Sequence, residues 1–156
     1  MFIRIVFAFI FVLHAGPVHS DNAFVSVFGD VTTITSGNKA AFGGFVPAFR
    51  AAAQYVLLTG KQIRIDGLCG SACATFADEA RPNVCITQNA VFGFHKEKCS
   101  LYAWTREPPA DELTVYTDPR FSTDIAMWVN KHGGYPVERV LLMNYDEAAA
   151  FWPQCK

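Results

Sequence analysis

Short apolar runs recur along the chain, separated by glycine, proline and polar turns. Some of these runs have the residue spacing of strands, and others have that of helices. Residues 62–65 form a β-branched run that breaks at Gly67 and restarts as small residues around Ser71. This pattern predicts a strand, a tight turn and the first turn of a helix that carries Ser71. A second apolar run, at residues 91–94, predicts a strand that ends on His95. If both strands end at the same edge of one sheet, the serine hydroxyl and the imidazole become neighbours.

The remaining pattern predicts one α/β domain with right-handed crossovers between its strands. A glycine pair, Gly43-Gly44, opens a predicted helix that ends at Gly60. Residues 96–119 lose this periodicity, which is typical of a loop over a site or of an arm that contacts another subunit. The other predicted strands are 24–28, 31–35 and 84–87, and the other predicted helices are 121–131, 136–143 and 146–151.

The first twenty residues have the composition of a secretory signal peptide. Arg4 supplies one positive charge, residues 5–15 are almost wholly apolar, and small or tolerated residues precede a cleavage position before Asp21. A retained N-terminal anchor is the alternative, although the apolar run is shorter than the roughly 20 residues of a spanning helix. We therefore expect a signal peptide at 1–20, a single domain at 21–156, and a periplasmic or secreted protein with no membrane contact after cleavage.

The charge balance argues against two classes of partner. The chain has 13 Lys and Arg against 14 Asp and Glu, so its formal net charge is −1, and it has no basic run. Nucleic acids and anionic membranes are bound through basic patches, so neither is an expected partner.

All five cysteines follow the predicted signal peptide, where thiols are usually oxidised. We expect two disulfides and one free thiol among Cys69, Cys73, Cys85, Cys99 and Cys155, with a pairing that spacing alone does not fix. A bridge from Cys69 or Cys73 to Cys85 would fix the turn at the serine, and one from Cys99 to Cys155 would hold the tail. A metal site is the weaker alternative, because the chain lacks a C-x-x-C pair and clustered histidines. We expect neither a metal nor a cofactor.

Ser71 and His95 have the context of an acyl-transfer site. A lone serine in a turn of small residues is usually structural, but this one lies between a predicted strand and a predicted helix. His95 can take the serine proton as general base and return it as general acid. The backbone N–H groups of Gly44 and Ala72 can hold a tetrahedral oxyanion, since glycine pairs and helix N-termini present such groups.

The sequence does not fix the acid that would orient the imidazole. The candidates, most of which have the context of helix caps or solvated side chains, are Asp146, Asn144, Asp124 and Glu138. We take Asp146 as the candidate third catalytic residue, and a dyad without an acid stays open. We expect Ser71 Oγ within hydrogen-bond reach of one ring nitrogen, and Asp146 or Asn144 opposite the other.

Several of these motifs, taken in order, resemble those of the Clp protease proteolytic subunit superfamily, in particular its small exported members. The resemblance covers roughly residues 24–98, and late in the chain Glu147-Ala148 resembles the Glu-Ala of the family's final helix. The sequence departs from the family pattern at Lys96-Glu97, where a Gln-Pro pair often follows the histidine. The matching motifs are Gly43-Gly44, residues 65–73, residues 84–86 and residues 92–95.

The resemblance implies a ClpP/crotonase-type spiral of ββα units. It also implies Ser71 as nucleophile, His95 as base, and oxyanion donors at Gly44 and Ala72. Members of the superfamily commonly form trimers or rings of six or seven subunits, so a homo-oligomer is expected.

The leading hypothesis is an exported serine hydrolase that acts on a peptide or another acyl substrate. The alternative is an inactive member that keeps the fold as a binding or assembly module. A crotonase-type acyl-CoA enzyme is a third, disfavoured hypothesis, because coenzyme A is not expected in an exported compartment and the basic residues for its nucleotide are not evident.

Overall fold

The computed structural model describes residues 21–100 and 114–156, so the predicted signal peptide lies outside the described residues. Within them the chain forms one small mixed α/β domain. The helices are α1 (Asp21–Phe28), α2 (Val46–Thr59), α3 (Ala72–Glu79), α4 (Thr123–Lys131) and α5 (Tyr145–Ala148), with short 3₁₀ turns at Lys39–Phe42 and Arg81–Asn83. The strands are β1 (Thr33–Thr35), β2 (Ile63–Asp66), β3 (Leu68–Gly70), β4 (Val84–Ile86), β5 (Val91–Phe94), β6 (Glu97–Ser100), β7 (Thr114–Thr117) and β8 (Leu141–Met143).

Two three-stranded sheets form the centre of the domain. The first is parallel, in the order β1-β2-β4, and the second has the order β3-β5-β8, with β8 antiparallel to β5. The chain passes from one sheet to the other at Gly67, whose φ is +144° and where a Cβ would lie 2.7 Å from Ser36 N. A glycine is therefore needed between β2 and β3, and residues 68–70, where the sequence predicts a tight turn, form a strand instead.

The segment 24–28 is helical, so the predicted strand there is wrong. Its alternating pattern also places Phe24 and Phe28 one turn apart on one helix face, and their ring centroids lie 5.1 Å apart. Phe28 then packs 4.7 Å from Phe76 and 5.4 Å from Phe49, which draws α1 onto α2 and α3. Burial of these rings stabilises the helix, whereas the two-residue period of the sequence taken alone favours a strand.

Two further predictions are corrected by long-range pairing. The predicted helix 136–143 is instead an irregular segment followed by β8, because Leu141, Leu142 and Met143 pair with β5. Part of the aperiodic segment 96–119 forms the antiparallel hairpin of β6 and β7, with its tip outside the described residues. Within residues 21–100 and 114–156, no helix has the length and apolarity needed to cross a membrane.

Both disulfides differ from the pairings suggested by the sequence. Cys69 is bonded to Cys73, and Cys85 is bonded to Cys155. Cys85 lies on β4, and the tail runs beside that strand, where Cys155 N donates to Ile86 O at 2.9 Å. The tail is therefore held by Cys85, where the sequence suggested Cys99.

A network of charges joins the end of α3 to the start of α4. The Asp78 carboxylate is buried and accepts hydrogen bonds from Ser122 N and Ser122 Oγ, both at 2.7 Å. Arg81 forms ion pairs with Asp78 and with Asp124, the latter at 2.5 Å. Because Asp124 is bound here, it is not available to orient His95.

We expect loss of the Cys85–Cys155 bond to lower the free energy of unfolding more than loss of Cys69–Cys73. The first bond spans 70 residues and the second spans 4. Loop-closure entropy then gives about 4 kcal/mol for the double alanine variant at 85 and 155, and about 2 kcal/mol for the one at 69 and 73. Guanidinium unfolding of both variants measures the difference, and equal losses would contradict the entropic account.

The contribution of Asp124 to stability should depend on pH. The hydrogen bond from Arg81 holds the pKa of Asp124 well below its usual range. A carboxyl with a lowered pKa in the folded state stabilises fully above its unfolded pKa of about 3.9, and this stabilisation is lost as the pH falls further. Denaturant titrations should show a gap between wild type and Asp124→Asn that shrinks below about pH 4. The gap should be smaller in an Arg81→Met background, where the hydrogen bonds from Ser122 and Ile125 N still lower the pKa of Asp124.

Candidate active site around Ser71 and His95

The ends of β3 and β5 lie side by side. The two strands are parallel, with Gly70 opposite Gly93, and Ser71 N donates to Gly93 O at 2.8 Å. Ser71 and His95 follow these paired ends and line one cavity. The strand predicted before Ser71, at residues 62–65, is β2 of the other sheet. Ser71 instead follows β3, which forms where the sequence predicts a turn.

Ser71 has an unusual backbone conformation, with φ 57° and ψ −126°. It is the only residue other than glycine with a positive φ in the described part of the chain. These angles are close to those of the first central position of a type II′ turn, which glycine usually occupies. A serine here is strained by about 1–3 kcal/mol, and residues with such strain cluster at functional sites.

The Ser71 hydroxyl is not used to cap α3. Serine is a preferred N-cap because its oxygen can accept a hydrogen bond from the first turn of the helix. Ser71 occupies the N-cap position, yet its side chain makes no capping hydrogen bond. The structural role that a serine usually has at a helix start therefore does not account for this residue.

The glycine pair packs against the Ser71 turn through Gly43. A Cβ on Gly43 would lie 2.6 Å from Ser71 Cβ and 3.0 Å from Ala72 N, and the φ of Gly43 is +93°. Gly44, the predicted oxyanion donor, is the next residue and is exposed. Ala72 begins α3, so its N–H belongs to the first turn, which has no acceptors within the helix.

The Cys69–Cys73 bond encloses Ser71 in a small covalent ring. Cys69 is the middle residue of β3, Cys73 lies in the first turn of α3, and both residues are fully buried. The ring thus ties the strand directly to the helix on either side of the serine. The Cys69–Cys73 bond therefore holds the turn at Ser71. The sequence suggested that a bridge to Cys85 would do so.

The protonation pattern of His95 follows from one short contact. His95 Nδ1 lies 2.7 Å from the backbone oxygen of Lys96. A carbonyl oxygen only accepts hydrogen bonds, so in the neutral ring the proton is on Nδ1 and Nε2 is left with its lone pair. The ring is then in the tautomer that a general base for a serine needs. Within the described residues no hydrogen bond joins the ring to Ser71, so the expected direct contact is not made.

The structure does not bring the predicted acids to the imidazole. Asp146 is exposed and lines a second, open depression together with Asn144. Asn144 caps α5, where its Oδ1 accepts from Glu147 N at 3.1 Å, and Glu138 is exposed. The backbone oxygen of Lys96 occupies the place expected for an acid beside the ring.

The cavity between Ser71 and His95 is narrow. Its space open to a water-sized sphere is about 10 Å³, which is about what one water molecule needs. Phe94, Pro119 and Phe121 form apolar walls, and Glu97 is the one carboxylate in the lining. Glu97 was not selected from the sequence, although its position two residues after His95 is the spacing that places side chains on one face of an extended chain.

No known protein family, curated protein or solved structure matches this chain. Among the described residues, no group of three or more His, Cys, Asp or Glu is arranged to hold a metal ion. The geometry around Ser71 is therefore the basis for inferring a function.

We expect Gly43→Ala to disrupt the Ser71 turn. The new methyl group would meet Ser71 Cβ and Ala72 N in a backbone conformation that alanine rarely adopts. The free energy of unfolding should fall by more than about 1 kcal/mol, as measured by urea denaturation. Gly60→Ala is the matched control, because Gly60 also has a positive φ but has nothing within 4 Å of the added Cβ. A smaller loss for Gly43→Ala than for this control would contradict the packing argument.

Proposed function

We propose that this protein is an exported serine hydrolase of the ClpP/crotonase type, with Ser71 as nucleophile and His95 as base. The observation that carries the proposal is the positive-φ turn between β3 and α3, which holds an uncapped serine hydroxyl in the same cavity as an imidazole. Strained strand-to-helix turns of this kind expose the nucleophile in serine hydrolases of other folds. The two sheets and the ordered motifs are compatible with a spiral of ββα units.

The proposed reaction is acyl transfer from a peptide or another acyl substrate. Ser71 Oγ attacks the carbonyl carbon while its proton passes to His95 Nε2, and the Lys96 backbone oxygen stabilises the resulting imidazolium through Nδ1–H. The N–H groups of Ala72 and Gly44 hold the oxyanion. His95 then gives the proton to the leaving group, and a water molecule hydrolyses the acyl-enzyme by the same steps.

The disulfides support an exported location. Four cysteines form two bonds in the structure, and such bonds persist mainly in the periplasm or outside the cell. In such a compartment the Cys69–Cys73 bond, which encloses the proposed nucleophile, would therefore be formed. The composition of residues 1–20, which is that of a signal peptide, also supports export.

A second candidate function is that of a binding or assembly module without catalysis. The narrow cavity favours it, since about one water fits beside Ser71 and the walls include Phe121 and Pro119. A substrate acyl group could enter only if these walls moved apart. The two functions differ in whether the hydroxyl reacts with an electrophile.

The oxidised protein should react with a fluorophosphonate probe at Ser71. Ser71→Ala should abolish the labelling, and His95→Gln should slow it by about 10²- to 10⁴-fold, because the base is lost. Gel fluorescence measures the rate, and peptide mass spectrometry identifies the labelled residue.

Matched controls separate loss of chemistry from loss of structure. Ser26→Ala removes an exposed hydroxyl of α1, and His132→Gln removes a histidine at the end of α4, so both variants should label like wild type. Well-folded wild-type protein that does not label would favour the module. Labelling that persists in Ser71→Ala would show that another residue reacts.

A further inference from the structure

Glu97 lines the cavity of the proposed nucleophile and has one carboxylate oxygen without a hydrogen-bond partner. It begins β6 and lines the same cavity as Ser71 and His95. Its Oε1 is buried and has no hydrogen-bond partner. A buried polar atom without a partner is uncommon in folded proteins and calls for a functional explanation.

No cation of the described chain neutralises this carboxylate. Neighbouring Lys96 is paired with Asp118 at 3.5 Å, and Lys98 is exposed. The cavity lining contains no lysine or arginine; apart from Glu97 and His95 it consists of apolar residues, a glycine and two hydroxyl residues. Glu97 is half-buried, and burial of one of its carboxylate oxygens without a partner is costly, so a cationic ligand group that reaches this carboxylate gains a strong interaction.

Glu97 does not act as the acid that orients the imidazole. His95 Nδ1 is already bound to the Lys96 oxygen at 2.7 Å. Among the described residues, the only ion pair that contains a histidine joins His132 to Glu147. Glu97 and His95 therefore form no ion pair. The carboxylate of Glu97 is therefore left without a partner at the wall of the cavity that a substrate would occupy.

We infer that Glu97 determines substrate specificity by binding a protonated amine or guanidinium close to the acyl group that Ser71 attacks. This inference rests on the proposed hydrolase function, because it assigns a substrate class to the same cavity. The substrate would be a peptide or acyl compound with a lysine-like or arginine-like group beside the reacting carbonyl. A charge-assisted hydrogen bond to the carboxylate then selects it over a neutral compound of the same shape.

Two fluorophosphonates that differ only in a side chain ending in an ammonium or in a methyl group test this inference. The rate constant for labelling wild-type protein should be at least about tenfold larger for the ammonium probe. Glu97→Gln keeps the size of the side chain and removes its charge, so the two probes should label this variant at similar rates. Glu138→Gln, which removes an exposed carboxylate, should keep the wild-type preference.

A binding measurement separates failure of this inference from failure of the proposed function. In the Ser71→Ala variant, methylammonium, which is small enough to suit the narrow cavity, should raise the melting temperature and methanol should not, and the added change Glu97→Gln should remove the effect. Equal labelling by both probes in wild type would overturn the role of Glu97 and leave the hydrolase intact. If neither probe labels the protein, the hydrolase proposal fails. Absence of a methylammonium effect would then overturn the cation site as well.

Discussion

The parallel pairing of β3 with β5 is the constraint on which the candidate site depends. The strands approach so closely that a Cβ on Gly93 would lie 3.3 Å from Gly70 Cα and 2.9 Å from Val140 Cγ1. Glycine therefore allows the strand ends to meet in register, and this register sends Ser71 and His95 into one cavity. The disulfide ring, the glycine pair and the Lys96 contact refine a geometry that the strand pairing has already set.

Features set by local spacing could be predicted from the sequence. The β-branched run before Gly67, the apolar run before His95 and the helix that ends at Gly60 carry their own start and stop signals, and the structure has these elements. The strand-to-helix turn at Ser71 was predictable for the same reason. The pairing that brings Ser71 near His95 was not predicted in this form, because the predicted strand 62–65 lies in the other sheet and β3 forms where a turn was expected.

Features set by contacts distant in sequence could not be predicted. The segment 24–28 fits a strand as well as a helix until Phe28 meets Phe76, and 141–143 becomes a strand only because β5 offers an edge. The disulfide pairing depends on where the tail runs. Glu97 could not be selected from the sequence, because no residue pattern shows that its Oε1 is buried without a hydrogen-bond partner.

The left-handed backbone at Ser71 also limits how this position can drift in evolution. Threonine would keep the hydroxyl, but a β-branched side chain is poorly tolerated at φ 57°. Glycine would relieve the strain and remove the nucleophile in one step. Stability and chemistry therefore favour different residues at position 71. Without selection for reactivity, replacement of the serine by glycine increases the free energy of unfolding. Under such selection the serine is retained together with its backbone strain.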